Sequence, residues 1–389
     1  MRRESNPPRP DWERLVEQVG LRHHTAGGVP YWNEEAHYVF SMAEVRRIEE
    51  ATRELHALCL EAAEAVIVGK RYAELAIPPH AVPLIEASWE ADAPSIYGRF
   101  DLSYDGRGEP KMLEYNADTP TSLVEAAVAQ WYWLEDRFPG ADQFNRLHEA
   151  LVETWDEVRP YLFSGRVHFA SMPDAEDEAT VEYLRDTAQQ AGLETVQLTV
   201  EEIGWDPGAR EFVDVEGIPL RCVFKLYPWE WMMNEEFGQN LARVRAPVQW
   251  MEPAWKMILS NKGILPILWE RNPGHPNLLP AYRDDLLFTP ADAYVVKPLL
   301  SREGANVRIV SPWHTQAETG GDYGEEGFVY QEYAPLPSYD GWQAVIGSWI
   351  VGQHPAGMGI RESRGPITDN LSRFVPHLIG SHGDTEAQR

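Results

Sequence analysis

One stretch constrains the fold more than any other: SIYGRFDLSYDGRGEPKMLEYNADTPTS, residues 95–122. Aromatic and apolar residues alternate with polar ones on both sides of the turn DGRGEP, the pattern of a β-hairpin. Side chains two apart on a strand share a face, so Arg99 and Asp101 project together, as do Glu114 and Asn116 on the facing strand. Phe100, Leu102, Leu113 and Tyr115 are left for an apolar core.

Two carboxylates, an amide oxygen and a guanidinium then converge, and this set has two readings. Hard oxygen ligands suit Mg2+, which takes one or two carboxylates, keeps waters and shares phosphate oxygens with a nucleotide. Arg99 would hold the terminal phosphate. The other reading is a solvated face laced with Arg–carboxylate pairs. Thr119, Thr121 and Ser122 come next, where a helix is expected over TSLVEAAVAQWYWLEDRF. Free N–H groups and hydroxyls at a helix start can bind a substrate carboxylate or phosphate. Capping is their simpler role, with Thr119 as N-cap and Pro120 at the first helical position.

The chain is 389 residues long with 43% hydrophobic residues, enough for a large core divided among several lobes. Residues 1–30 read as an irregular lead-in. Ser41 and Glu44 form a capping box, and Val45, Ile48, Leu55, Leu58, Ala62 and Val66 recur at helical spacing, so a long helix should run to about Gly69. GRVHFASM, a helix over 177–192 and ETVQLTVEEIGWD give a β–α–β layer. RCVFKLYPWEW reads as a further strand, and most of residues 293–378 should form antiparallel sheet, ahead of a loose tail over 381–389.

Charge and cysteine content narrow the partners. The net charge is −27, from 61 acidic against 34 basic residues, which disfavours nucleic acid and anionic membrane. It suits a cationic ligand such as a polyamine, or serves only the solubility of the surface. No apolar run reaches the ~18 residues of a membrane span and the first residues lack a secretory signal, so a cytoplasmic protein is expected. Cys59 and Cys222 lie in apolar contexts and read as packed thiols.

A second group of cations lies downstream. Lys297 ends the apolar run of YVVKPLLSREGAN, ahead of a loop with Ser301, Arg302, Gly304 and Asn306, where it could clamp phosphates. Lys262 in LSNKGILPILWE is another candidate, with a helix-end lysine as the plain alternative. VYQEYAPLP could offer backbone groups and apolar contacts to an adenine ring, or be an edge strand ending in prolines.

Together RFDLSYDGRGEPKMLEYNAD, SNKGILPILWE, YVVKPLLSREGANV and IRESRGPIT resemble the synthetase domain of the glutathionylspermidine synthase family, in order from about residue 30 to 379. The resemblance implies an α+β ATP-grasp fold, with a preceding α/β layer and an N-terminal helical segment. It implies ATP-dependent C–N ligation, in which a peptide carboxylate is phosphorylated and an amine displaces the phosphate. Carried over, Asp101, Glu114 and Asn116 resemble Mg2+ ligands, and Arg99 and Arg361 the pair that stabilises the transferring phosphoryl group. Lys262 and Lys297 resemble the ATP-phosphate lysines, Gln331, Glu332, Tyr333 and Ala334 the adenine hinge, and Pro366, Ile367 and Thr368 the last nucleotide-contacting segment.

The departures concern the substrates. TPTSLVEA stands where the family has a serine- and cysteine-containing stretch lining the peptide site, with Thr119 keeping a hydroxyl. Glu176 and Asp177 align with the acidic pair that meets peptide and polyamine, or simply enrich a helix start in acids. The amidase domain of the family's bifunctional members is expected to be absent, since nothing before Ser41 could hold it, so a stand-alone synthetase-like member is expected. The expected division is 1–94 helical segment, 95–250 central α/β part with the hairpin, 251–380 nucleotide part and 381–389 tail. The nucleotide is expected between the C-terminal sheet and a central sheet carrying the hairpin. Two other classes stay open: a nucleotide- or peptide-binding module without turnover, and a metal-dependent hydrolase that needs no ATP. The carboxylate, the amine and the oligomeric state are left open.

Overall fold

The hairpin forms as its alternation requires: Tyr97–Ser103 pairs antiparallel with Lys111–Asn116, placing Arg99 opposite Asn116 and Asp101 opposite Glu114. Phe100 stacks on Tyr115 beneath this face, with ring centres 3.9 Å apart. The register shifts between Asp101 and Leu102, so that Leu102 pairs with Met112. A bulge inserts one unpaired residue and reverses the alternation beyond it. Met112 therefore takes the buried place expected for Leu113, and Leu113 lines the cleft instead.

This computed structural model describes residues 1–312, 314–369 and 372–380; the expected tail over 381–389 lies outside the described residues. Helix and strand are mixed, as the sequence leads one to expect. The hairpin belongs to a six-stranded antiparallel sheet with Trp342–Val351 and His354–Ser363, and not to the central α/β layer. Local patterning shows that two strands exist but not which distant strand covers their edge. A second, five-stranded antiparallel sheet contains Tyr294–Pro298, Arg308–Ser311 and Phe328–Glu332. The region over 293–378 is thus divided mainly between two antiparallel sheets, and its last strand, His377–Ile379, joins a third by pairing parallel with Ala36–Phe40.

The β–α–β layer is a parallel sheet ordered Gln249–Met251, Cys222–Leu226, Arg166–Ser171, Glu194–Thr199. Its helix spans Ala175–Gln190 and starts two residues before the expected point, because the Asp174 carboxylate accepts the backbone N–H groups of Glu176 and Asp177. The run expected as one strand over 221–231 stops at Leu226, and Trp229–Asn234 is a short helix after Pro228.

The long helix Met42–Gly69 opens with the expected capping box and buries Val45, Ile48, Leu55, Ala62 and Val66. Such a cap is worth about 1 kcal/mol. The first thirty residues are more ordered than their composition suggests: Arg2–Ser5 pairs with Ala36–Phe40, which pairs in turn with His377–Ile379. Arg9 is held by Glu34 at 2.6 Å in a buried ion pair. Cys59 and Cys222 are free and buried, as packed thiols should be. Among the described residues no helix is long and apolar enough to cross a membrane.

Candidate active site

The pairing of Asp101 with Glu114 puts both carboxylates at one end of a cleft between the two antiparallel sheets. Asp101, 4% exposed, is gripped from two sides: Arg99 Nε donates to Oδ1 at 2.8 Å, and Arg361 Nη2 donates to Oδ2 at 2.6 Å. Glu114 Oε2 lies 3.1 Å from Lys262 Nζ, and Oε1 accepts Asn116 Nδ2 at 3.3 Å. Burial alone would raise the Glu114 pKa, but Lys262 and Lys297 outweigh it and hold the carboxyl at about 2.

The lysines come from different elements. Lys262 Nζ donates to the Ser301 carbonyl at 2.5 Å, while Lys297 Nζ donates to the Leu113 carbonyl at 2.9 Å and to Gln331 Oε1 at 2.8 Å. Burial lowers the Lys297 pKa to about 8, against the pull of Glu114. Gln331 is itself buried and donates Nε2 to the Met112 carbonyl at 3.1 Å, so its side chain braces Lys297 and the hairpin.

At the other end the wall turns apolar. Val295, Val307 and Ile309 form a small separate cluster with Tyr333 and Ile367 packed against it. Glu332, Ala334, Pro366 and Thr368 complete this end. Gly304 has φ +69°, and a Cβ there would lie 2.3 Å from the Thr368 carbonyl oxygen, so a glycine lets the 299–306 loop rest on the 366–368 segment.

Thr119 and Thr121 line the cleft but do not cap a helix. Helical turns begin only at Leu123, Ser122 has φ +66°, and a wide π turn spans Glu125–Ala129. The delay has a physical cause: Arg99 Nη1 donates to the Thr121 carbonyl at 2.7 Å and Arg302 Nη2 to Thr119 Oγ1 at 2.6 Å, which pins the segment outside the helix. Ser122, Glu176 and Asp177 lie outside the cleft wall. Ser122 Oγ pairs with Tyr31 OH at 2.9 Å. Burial, with Glu125 nearby, raises the Glu176 pKa; burial and the charges of Asp174 and Glu176 raise Asp177 to about 7. Glu125 is buried and lies 3.0 Å from His23 Nε2.

Sequence reasoning assigned no role to several residues here. Arg302 was noted in its loop without one, and Leu113 was expected in the core. Tyr31, His23 and Glu125 carried no local signal, because tertiary packing brings Tyr31 to Ser122 and the His23–Glu125 pair near Glu176, outside the cleft wall. The apolar slot was readable in principle: Val295 shares a strand face with Lys297, and Val307 with Ile309.

The donor set fits Mg2+. Asp101, Glu114 and Asn116 present hard oxygens on one face of the hairpin, and among the described residues no group of three or more His, Cys, Asp or Glu forms a softer or fuller metal site. An ion held by two carboxylates and an amide would take its remaining ligands from phosphate and water.

Residues 3–380 match the family described as "Glutathionylspermidine synthase preATP-grasp". A Haemophilus influenzae protein named "Putative acid--amine ligase" is 42% identical over 96% of this chain and 98% of its own length. The trypanothione synthetase of Crithidia fasciculata is 31% identical over 83% of this chain, and the bifunctional glutathionylspermidine synthetase/amidase of Escherichia coli K12 is 30% identical over 89%. The matches take in 53% and 60% of those two longer proteins. A glutathione synthetase-like effector from Globodera pallida shares the fold, with a TM-score of 0.55 at 10% identity over 96% of this chain and 98% of its own. The chain belongs to the glutathionylspermidine synthase preATP-grasp family.

Proposed function

We propose that this chain is an ATP- and Mg2+-dependent carboxylate–amine ligase of ATP-grasp type, forming an amide bond through an acylphosphate. One observation carries the reading: Arg99, Arg361, Lys262 and Lys297 meet at one end of a cleft whose other end is an apolar slot. Cations outnumber carboxylates at the first end, which suits a polyphosphate, and the slot suits a planar base. The names of the relatives, an acid–amine ligase and synthetases of glutathionylspermidine and trypanothione, support the reaction class.

In this reading Val295, Ile309, Tyr333 and Ile367 enclose the adenine, with the backbone of Gln331 to Ala334 at its edge and Pro366 to Thr368 closing the slot. Lys262 and Lys297 hold the phosphates. Mg2+ held by Asp101, Glu114 and Asn116 would neutralise phosphate charge. A carboxylate oxygen of the acid attacks the terminal phosphorus, the bond to ADP breaks, and an acylphosphate forms. The neutral amine nitrogen then attacks the acyl carbon, the bond to phosphate breaks, and the amine's proton leaves to solvent. Arg99 and Arg361 offset charge on the phosphoryl group in flight, and Asp101 fixes both guanidiniums before substrate arrives. Thr119 and Thr121 meet the acid at the cleft wall, and Ser122, bonded to Tyr31, supports the segment that carries them. Glu176 and Asp177 attract the amine as its ammonium form, a polyamine among the candidates.

The experiment is ADP release with Mg–ATP, crossing glutathione and small peptides with spermidine and other amines and following product masses. ADP release together with a condensed mass supports the ligase. Condensation or hydrolysis without ATP would overturn it.

A further inference from the structure

Glu114, Asn116 and Asp118 stand at alternate positions, yet only the first two line the cleft. Asp118 leaves the strand and turns into the α/β layer, 1% exposed. Its Oδ1 accepts Lys225 Nζ at 2.6 Å and its Oδ2 accepts the Trp229 backbone N–H at 2.9 Å. Lys225, also 1% exposed, donates a second bond to the Tyr227 carbonyl at 3.0 Å and lies 4.7 Å from the centre of the Trp229 ring. Burial lowers the Lys225 pKa and Asp118 opposes the shift.

An ion pair desolvated to this degree is a poor source of stability, since apolar side chains of similar volume do as well. What it supplies is a fixed position. The residues after Asp118 are held at three further points. Tyr97 OH donates to the Pro120 carbonyl at 3.3 Å, Arg99 to the Thr121 carbonyl at 2.7 Å, and Arg302 to the Thr119 hydroxyl at 2.6 Å. These three donors come from the hairpin strand Tyr97–Ser103 and the 299–306 loop. Asp118 ties the same segment to the strand Cys222–Leu226 and to the first residue of the helix Trp229–Asn234.

We infer that the Asp118–Lys225 pair positions the Thr119–Ser122 segment against the α/β layer, and thereby sets the affinity for the acid substrate while leaving the nucleotide end unchanged. The acid substrate rests on the ligase reading above; the positioning does not. Asp118 and Lys225 are positioning residues, acting through Thr119 and Thr121.

The test uses the full chain with Asp118→Asn and Lys225→Met, singly and combined. Hydrogen exchange is followed in peptides covering 117–122 and, as reference, 97–103. Mg–ADP affinity is measured by calorimetry. Exchange over 117–122 should accelerate roughly tenfold or more in each variant, no further in the combination, with the reference segment unchanged. Mg–ADP affinity should stay within about twofold, and KM for the acid found by the ligation panel should rise roughly tenfold with KM for ATP unmoved. Unchanged exchange over 117–122, or a parallel loss of Mg–ADP affinity, overturns the inference. If no acid turns over, the ligase reading fails while exchange and ADP affinity still decide the positioning. Should a single variant fail to fold, Asp118→Leu combined with Lys225→Met removes both charges and is read the same way.

Discussion

Arg361 reaches Asp101 across the strand that separates them: its Nη2 lies 2.6 Å from Oδ2, and the residue of that intervening strand opposite Asp101 is Gly347. A Cβ at Gly347 would lie 2.8 Å from Arg99 Cδ. The glycine leaves the face free for both arginines. Gly347→Ala should displace Arg99 and lower kcat by roughly ten- to a hundredfold, a 1–3 kcal/mol loss of transition-state stabilisation, with Tm moved by only a few degrees. A variant with normal kcat would show that the arginine geometry does not matter to the chemistry.

Arg361→Ala removes a charge that the account uses in the transition state more than in the ground state. The loss of one such donor costs about 3–4 kcal/mol, so kcat should fall roughly a hundred- to a thousandfold. Mg–ATP affinity should change by no more than a few-fold. Calorimetry beside steady-state kinetics separates the two, and a pure binding defect would assign Arg361 to the ground state.

Lys297, with its pKa lowered to about 8 by burial, is partly neutral above that pH in the free protein. Polyphosphate beside it favours the charged form, so nucleotide binding should take up protons near pH 8.5, on the order of half a proton. Calorimetry in buffers of different ionisation enthalpy measures this directly. Lys297→Met should abolish the uptake, and wild-type binding with no uptake would contradict the buried-lysine account.

Asp177, raised to about 7 chiefly by burial, binds its proton more tightly folded than unfolded. Its contribution to stability is therefore complete below the ordinary aspartate pKa of about 4 and is lost as pH rises toward 7. Asp177→Asn should flatten the fall in Tm between pH 4 and 7. At pH 8 the variant should be more stable than wild type by at least about 1 kcal/mol, or ~2 °C. An unchanged pH profile would place Asp177 in a more solvated setting.

How far the sequence revealed the site depended on whether the signal was local. Arg99, Asp101, Glu114 and Asn116 were readable from a period of two, and the capping box at Ser41 fixed the long helix to the residue. The bulge after Asp101 was not readable, because an inserted residue leaves the composition of the strand unchanged while reversing the faces of Met112 and Leu113. The helix after Pro120 was placed too early, since Arg99 and Arg302 hold Thr119 and Thr121 outside it against a favourable local sequence. The pairing of the hairpin with Trp342–Val351 joins segments more than two hundred residues apart, and no local pattern reports such a partner. Asp118 follows Glu114 and Asn116 at the same spacing, and only its partners Lys225 and Trp229 reveal the different direction it takes.

The most direct test of the central claim is isotopic. With the acid substrate carrying 18O in its carboxylate, turnover with Mg–ATP and the amine should yield ADP and inorganic phosphate containing one 18O atom, because that oxygen becomes the bridge of the acylphosphate. Phosphate without label, or AMP and pyrophosphate in place of ADP, would contradict the account.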